Sequence, residues 1–185
     1  MAEDDLKKVV GNILKDIRVE LSDEFDRNFE RQAFFSQAWQ RRKSPSRNGR
    51  GVLIDTGNLR RSIKSEVKAD GITFFSSEPY AAIHNEGGEI RVTAKMKRYF
   101  WHKYMTAAGA LTFSRRKDGN LRQDKNTLRI NGEAEFWKHM ALMKVGKIIK
   151  IPRRQFLGYS PEVEKSVREI IEENLTEYFN QDFKL

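Results

Sequence analysis

The chain opens on an uninterrupted amphipathic repeat, and this limits its fold more than any other feature. Leu6, Val9, Val10, Ile13, Leu14, Ile17, Leu21, Phe25 and Phe29 recur at spacings of three and four, the period that lines one face of an α-helix. No Gly or Pro falls between Asn12 and Arg42. The pattern predicts a helix to about residue 33 within an N-terminal segment 1–40. Asp4 and Asp5 stand before its first apolar residue as capping carboxylates. A second helix is expected at the other end. Ser160-Pro161 fits an N-cap followed by Pro at the first helical position, and Val163, Val167, Ile170, Ile171, Leu175 and Tyr178 line one face to about residue 181.

Between these helices the period shortens to two. Ile63, Ser65 and Val67 alternate with charged residues, and Ile72-Thr73-Phe74-Phe75 follows the turn Ala69-Asp70-Gly71, a hairpin pattern. Glu89 to Thr93 and Lys147 to Ile151 read as third and fourth strands, the latter stopped by Pro152. Asp55 or Thr56 is expected to cap a helical turn through Leu59 to Ser62, and Glu78 to His84 reads as a short helix or turn. Residues 95–105 and 133–145 look helical, and the polar stretch 114–132 reads as a loop or marginal hairpin. The fold class is therefore α+β, an antiparallel sheet of about four strands covered by the two terminal helices, with a helical and loop insertion. The length of 185 residues suits a single domain, 1–185. Within it lie the N-terminal helix 1–40, a sheet region 52–93 and 147–158, a basic insertion 94–146, and the C-terminal helix 160–181.

Twelve Phe and three Trp supply a core that a disordered chain would lack. The absence of Cys excludes disulfides, thiolate zinc sites and cysteine nucleophiles. No apolar run approaches the roughly 20 residues of a membrane span, and the acidic Met-Ala-Glu-Asp-Asp start differs from a signal peptide, so no membrane partner is expected. The net charge of +9 is unevenly spread: residues 1–35 carry −3, residues 161–185 carry −4, and the middle carries +16. Two stretches dominate it, Arg41, Arg42, Lys43, Arg47 and Arg50 in one, and Arg115, Arg116 and Lys117 leading six bases up to Arg129 in the other. Such a patch is a solvated surface, a contact with an acidic subunit, or a polyanion site. Tyr99, Phe100, Trp101 and Tyr104 beside Lys97, Arg98 and Lys103 fit a core or subunit contact, or a stacking platform.

Catalytic patterns fail one by one. Leu53-Ile54-Asp55-Thr56-Gly57 has the form of an aspartic-protease turn, in which two carboxylates share a proton. Here Asn58-Leu59-Arg60-Arg61 follows, and adjacent cations favour two ionised carboxylates over that state. An aspartic protease-like enzyme around Asp55 is thus a remote alternative, and Asp55 as a helix cap is preferred. His84-Asn85-Glu86 supplies half of a zinc-deaminase signature whose other half needs Cys. His84, His102 and His139 lack metal-ligand spacing, and neither a nucleophile elbow nor a Gly-rich phosphate loop is present. No catalytic residue, metal or cofactor is expected.

Three segments taken in order carry a resemblance. They are Leu53-Ile54-Asp55-Thr56-Gly57-Asn58-Leu59-Arg60-Arg61-Ser62-Ile63, Pro79-Tyr80-Ala81-Ala82-Ile83-His84-Asn85-Glu86-Gly87-Gly88, and Ile151-Pro152-Arg153-Arg154-Gln155-Phe156-Leu157-Gly158. Together they resemble the phage virion morphogenesis family, the tail-completion proteins that include the G-like proteins of phage Mu. The matching positions are Asp55, Thr56, Gly57, Leu59, Arg60, Ser62, Tyr80, Ala81, His84, Gly87, Gly88, Pro152, Arg153, Phe156 and Gly158. Where the family commonly has Pro-Ala-Arg-Pro-Phe, this chain has Pro152-Arg153-Arg154-Gln155-Phe156, without the second Pro. The resemblance implies a structural, non-catalytic role at the head–tail junction, in a homo-oligomeric ring that meets head connector and tail tube proteins. It implies a place at the virion neck or tail end, reached from the bacterial host cytoplasm. Acidic helix faces of one subunit are expected to meet the basic middle of the next, with possible non-specific contact to DNA. A basic DNA-binding accessory protein is the alternative function.

Overall fold

The computed structural model describes residues 2–42, 51–68 and 71–182. The chain forms two compact units, one of residues 1–40, 51–86 and 153–185, the other of 41–50 and 87–152. The first is built on helix α1 (Ala2–Arg31) and helix α6 (Pro161–Asp182). Because α1 begins at Ala2, Asp4 and Asp5 lie within its first turns rather than before it. The predicted periodicity is used over most of its length: Val9, Ile17, Leu21, Phe25 and Phe29 are buried on one face of α1, whereas Leu6 and Val10 are exposed. Val163, Val167, Ile170 and Ile171 of α6 pack on the same cluster. At α6 the Ser160 hydroxyl accepts from Val163 N–H at 3.2 Å, as a cap should.

After α1 the chain reverses in a feature the periodicity does not reveal, a miniature ladder of strands β1 (Ala33–Phe34) and β2 (Gln37–Ala38). Gln32 and Phe35 there take left-handed backbone angles, φ 56° and 50°, uncommon outside Gly, Asn and Asp. Side-chain amides hold both. Asn28, fully buried, accepts from Phe35 N–H at 2.9 Å, while the Gln32 amide donates to Phe29 and Val52 carbonyls and accepts from Val52 N–H.

Helix α2 (Asn58–Arg61) precedes strands β3 (Ile63–Lys68) and β4 (Gly71–Ser76), whose antiparallel register runs from Ile63↔Ser76 to Lys68↔Gly71. The predicted hairpin is therefore present, although Ala69 and Asp70 of its turn lie outside the described residues. Helix α3 (Ala81–Glu86) completes this part of the first unit.

The second unit holds strand β5 (Gly88–Arg91), helix α4 (Ala94–Thr112), helix α5 (Lys125–Leu142) and strand β6 (Ile148–Ile151). β5 and β6 pair antiparallel, Gly88 opposite Ile151. The fold is α+β, but instead of a four-strand sheet the described strands form three two-stranded ladders. The physical reason is that each short strand finds its partner inside its own unit. β3 and β4 set Ile63, Ile72 and Phe74 against the α1 cluster, whereas β5 and β6 pair with each other. α4 and α5 pack through small residues, with Ala107, Ala134 and Ala141 buried. Both helices are longer than expected: α4 continues past residue 105 to Thr112, and α5 starts earlier, at Lys125. The Thr93 hydroxyl accepts from Met96 N–H at 3.2 Å, and the Asp124 carboxylate from Thr127 N–H at 2.9 Å.

Candidate functional site

The three family-like segments can be followed residue by residue. In the first, Asp55 and Thr56 are exposed, and the N-cap of α2 is Gly57 rather than either of them. This corrects the expected capping role. Gly57 has φ 78°, a left-handed angle that turns the backbone into α2 without a side-chain cap, and Asn58 N–H reaches the Thr56 hydroxyl only at 3.4 Å. Asp55 therefore leads into a helix, not into the strand that follows a protease carboxylate. Leu59 is buried in the α1 cluster. Arg60 reaches across to α1, where its guanidinium engages both oxygens of Asp26 and the Glu30 carboxylate at 2.7 Å. Hydrogen bonding to Arg60 holds the Asp26 carboxyl below the usual carboxylate range. Buried Ser62 donates to Leu59 C=O at 2.7 Å and shares a 2.7 Å bond with the Ser76 hydroxyl.

The second and third segments clamp each other. The Asn85 side-chain oxygen accepts from Phe156 N–H at 2.9 Å and Leu157 N–H at 3.0 Å. His84 C=O accepts from Arg154 N–H at 2.7 Å. Phe156 is thereby delivered into the core, its ring 5.4 Å from Phe29, which in turn meets Trp39 edge-on at 5.5 Å. Trp39 Nε1 donates to Gln155 C=O at 2.7 Å, and buried Arg154 donates through Nε to Gln40 C=O at 2.9 Å. Ala81 is buried, and Tyr80 meets the His84 ring edge-on at 6.1 Å. Burial, with the Arg154 cation as a second cause, pushes the His84 imidazole below its ordinary value. Arg153 is held by the Gln155 side chain, and Gly158 turns the chain toward Ser160 at φ 117°.

Most of these positions lie in the first unit, where Leu59, Ala81 and Phe156 belong to its buried cluster, whereas Gly87, Gly88 and Pro152 belong to the second. Sequence reasoning missed Asn85 and Asn28 as clamps. Asn85 sits inside the second family-like segment, but which backbone it meets depends on partners 71 and 72 residues away. Chemically the arrangement orders backbone. The two carboxylates it brings together, Asp26 and Glu30, are both held by the Arg60 guanidinium, and among the described residues no group of His, Asp and Glu is placed to hold a metal ion.

The basic candidates lie elsewhere. Lys43, Arg47 and Arg50 fall outside the described residues. Arg41 is exposed and Arg42 half-buried. Arg115, Arg116 and Lys117 are exposed on a tight loop after α4. There Arg115 pairs with Leu121 in an isolated antiparallel bridge, Arg116 N–H donates to Asn120 C=O at 2.7 Å, and the Arg115 guanidinium reaches Gly119 C=O at 2.6 Å. This is the marginal hairpin that the sequence left open between 114 and 132. On α4 the aromatic group divides. Phe100 is buried and stacks on Trp137 at 5.9 Å, while Tyr99 and Trp101 are 51% and 40% exposed. No described helix is long and apolar enough to cross a membrane.

In comparisons with known proteins, the model of the phage virion morphogenesis family matches residues 4–176. No curated protein matched the chain, and no solved structure did.

Proposed function

The chain belongs to the phage virion morphogenesis family and is a protein of phage virion assembly; from that premise we propose that it acts structurally at the head–tail junction, completing the tail or joining it to the head as a ring of identical subunits. The observation that carries this reading is the use of the family-like segments. Arg60, Ser62, Arg154 and Phe156, together with Asn85, hold α1, α3 and the approach to α6 in place. Residues spent in this way preserve a shape and leave recognition to the surface. The ring would form by a heterologous contact in which the same two patches meet around the circle. Exposed Glu169, Glu172, Glu173 and Glu177 on α6 offer one patch, and the basic second unit of the next copy offers the other. Head connector and tail tube proteins are the remaining partners, and the neck or tail end is the location, reached from the host cytoplasm. Disrupting the gene in the phage tests the reading. Electron microscopy is expected to show separate heads and tails, and intact joined particles would overturn it.

A further inference from the structure

The two units carry opposite charge. Over the sequence the second has twenty Lys and Arg against five Asp and Glu, net +15, and the first fifteen against twenty-one, net −6. From Ile90 to Lys117 there is no acidic residue in 28 positions, and eight are Lys or Arg. The ion-pair pattern widens the contrast. In the first unit Asp23, Glu24, Asp26, Glu30, Glu164 and Glu169 are all engaged by arginine or lysine of the same unit. In the second unit, Arg42 aside, the ion pairs among the described residues are Arg129–Glu133 at 3.7 Å and Lys138–Glu135 at 3.9 Å.

Contacts between copies cannot cancel this excess. If the whole net −6 of one copy's first unit met the second unit of the next, +9 per copy would still remain there, and a ring would multiply it. The excess is also spread along an axis. Lys95 and Arg98 start α4, and Arg115, Arg116, Lys117 and Arg122 follow its end. The helix of 19 residues separates the two groups by about 28 Å, or about eight base-pair steps of a duplex. Helix α6 of a neighbouring copy is long enough to span both groups, but it brings Lys165 and Arg168 of its own, whereas a phosphate backbone spans them with negative charge alone.

We propose that the second unit is a DNA-backbone surface, in which Lys95 and Arg98 on α4 and Arg115, Arg116, Lys117 and Arg122 on the following loop contact phosphates without reading sequence. Each phosphate neutralised releases condensed counterions, so binding falls steeply with salt. The test uses the full chain and a fluorescein-labelled duplex of about 20 base pairs in anisotropy titrations from about 50 to 300 mM NaCl. The expected log–log slope is about −4 or steeper, similar for duplexes of unrelated sequence. The triple variant Arg115→Gln, Arg116→Gln, Lys117→Gln should lose about two to three units of slope, and Lys95→Gln with Arg98→Gln about one to two. Lys15→Gln with Arg18→Gln on α1 should change nothing. The two second-unit sets lie on different elements, so either decides the matter if the other variant unfolds. The proposal is overturned by absence of binding at about 50 mM salt, by a slope that a folded second-unit variant leaves intact, or by polyglutamate of equal charge displacing the duplex as well as unlabelled DNA does. The last result would identify an acidic protein as the partner.

Discussion

The first unit and the second solve the folding problem differently. In the first, large aromatics close the core: Phe25, Phe29 and Phe156 are almost fully buried, and α1 meets β4 through Phe25 and Phe74 and the segment before α6 through Phe29 and Phe156. In the second, two helices approach through alanines, with Phe100 and Trp137 as the principal aromatic pair, and much apolar surface stays open, including Phe113 at 88% exposure. The family-like positions are concentrated in the first, and the charge excess in the second. A family signature of this kind therefore tracks what keeps the scaffold in shape, and partner recognition need not coincide with it.

The sharpest way to break that comparison is a core truncation in each unit. Phe156→Ala is expected to cost about 3–5 kcal/mol in urea unfolding, more than Phe100→Ala, which abandons a smaller cluster. Equal losses would erase the distinction. Next comes Asn85→Ala, which leaves the Phe156 and Leu157 amides without their shared acceptor and is expected to cost about 2 kcal/mol. A neutral result would mean that the clamp is incidental.

A smaller effect sharpens the electrostatic half. Asp26→Asn weakens the Arg60 bridge, and as both partners are partly exposed the expected loss is about 1 kcal/mol near neutral pH. Asp26 titrates lower in the fold than in the unfolded chain. Its contribution is therefore present above the ordinary aspartate range and is lost as pH falls through the folded value. The variant and the parent should then converge in acid, and a gap that persists there would point to packing instead. His84 follows the same sign, since its folded value is lowered. Stability should decline as pH drops below the ordinary histidine range, and His84→Gln should flatten that decline. The smallest effect belongs to the second unit's loop: neutralising Arg115, Arg116 and Lys117 should move unfolding stability by no more than about 0.5 kcal/mol.

What could be read beforehand follows from the range of the interactions. α1, α6 and the β3–β4 hairpin were legible because their apolar periods are local and long. The ladder at Ala33 to Ala38 was not, since it depends on Asn28 and Gln32 holding left-handed residues that no period marks. The α5 start was signalled by Asp124, whose carboxylate suits an N-cap, but the polar stretch around it obscured the boundary. The division of four strands into separate ladders was hidden because alternation identifies a strand and not its neighbour. Within the candidate site, Leu59 and Phe156 have the apolar character of core residues. Arg60 reads equally well as a surface cation, and only its placement over Asp26 and Glu30 gives it a task.

The family-like segments thus maintain shape, while the basic second unit supplies the surface that partners read. Complementation of a gene-disrupted phage by the Arg115→Gln, Arg116→Gln, Lys117→Gln variant, with joined particles counted by electron microscopy, tests this division most directly. The expected result is a folded protein with the parent's unfolding midpoint and at least a tenfold loss of joined particles. Joining at the parent's level by that folded variant would contradict it.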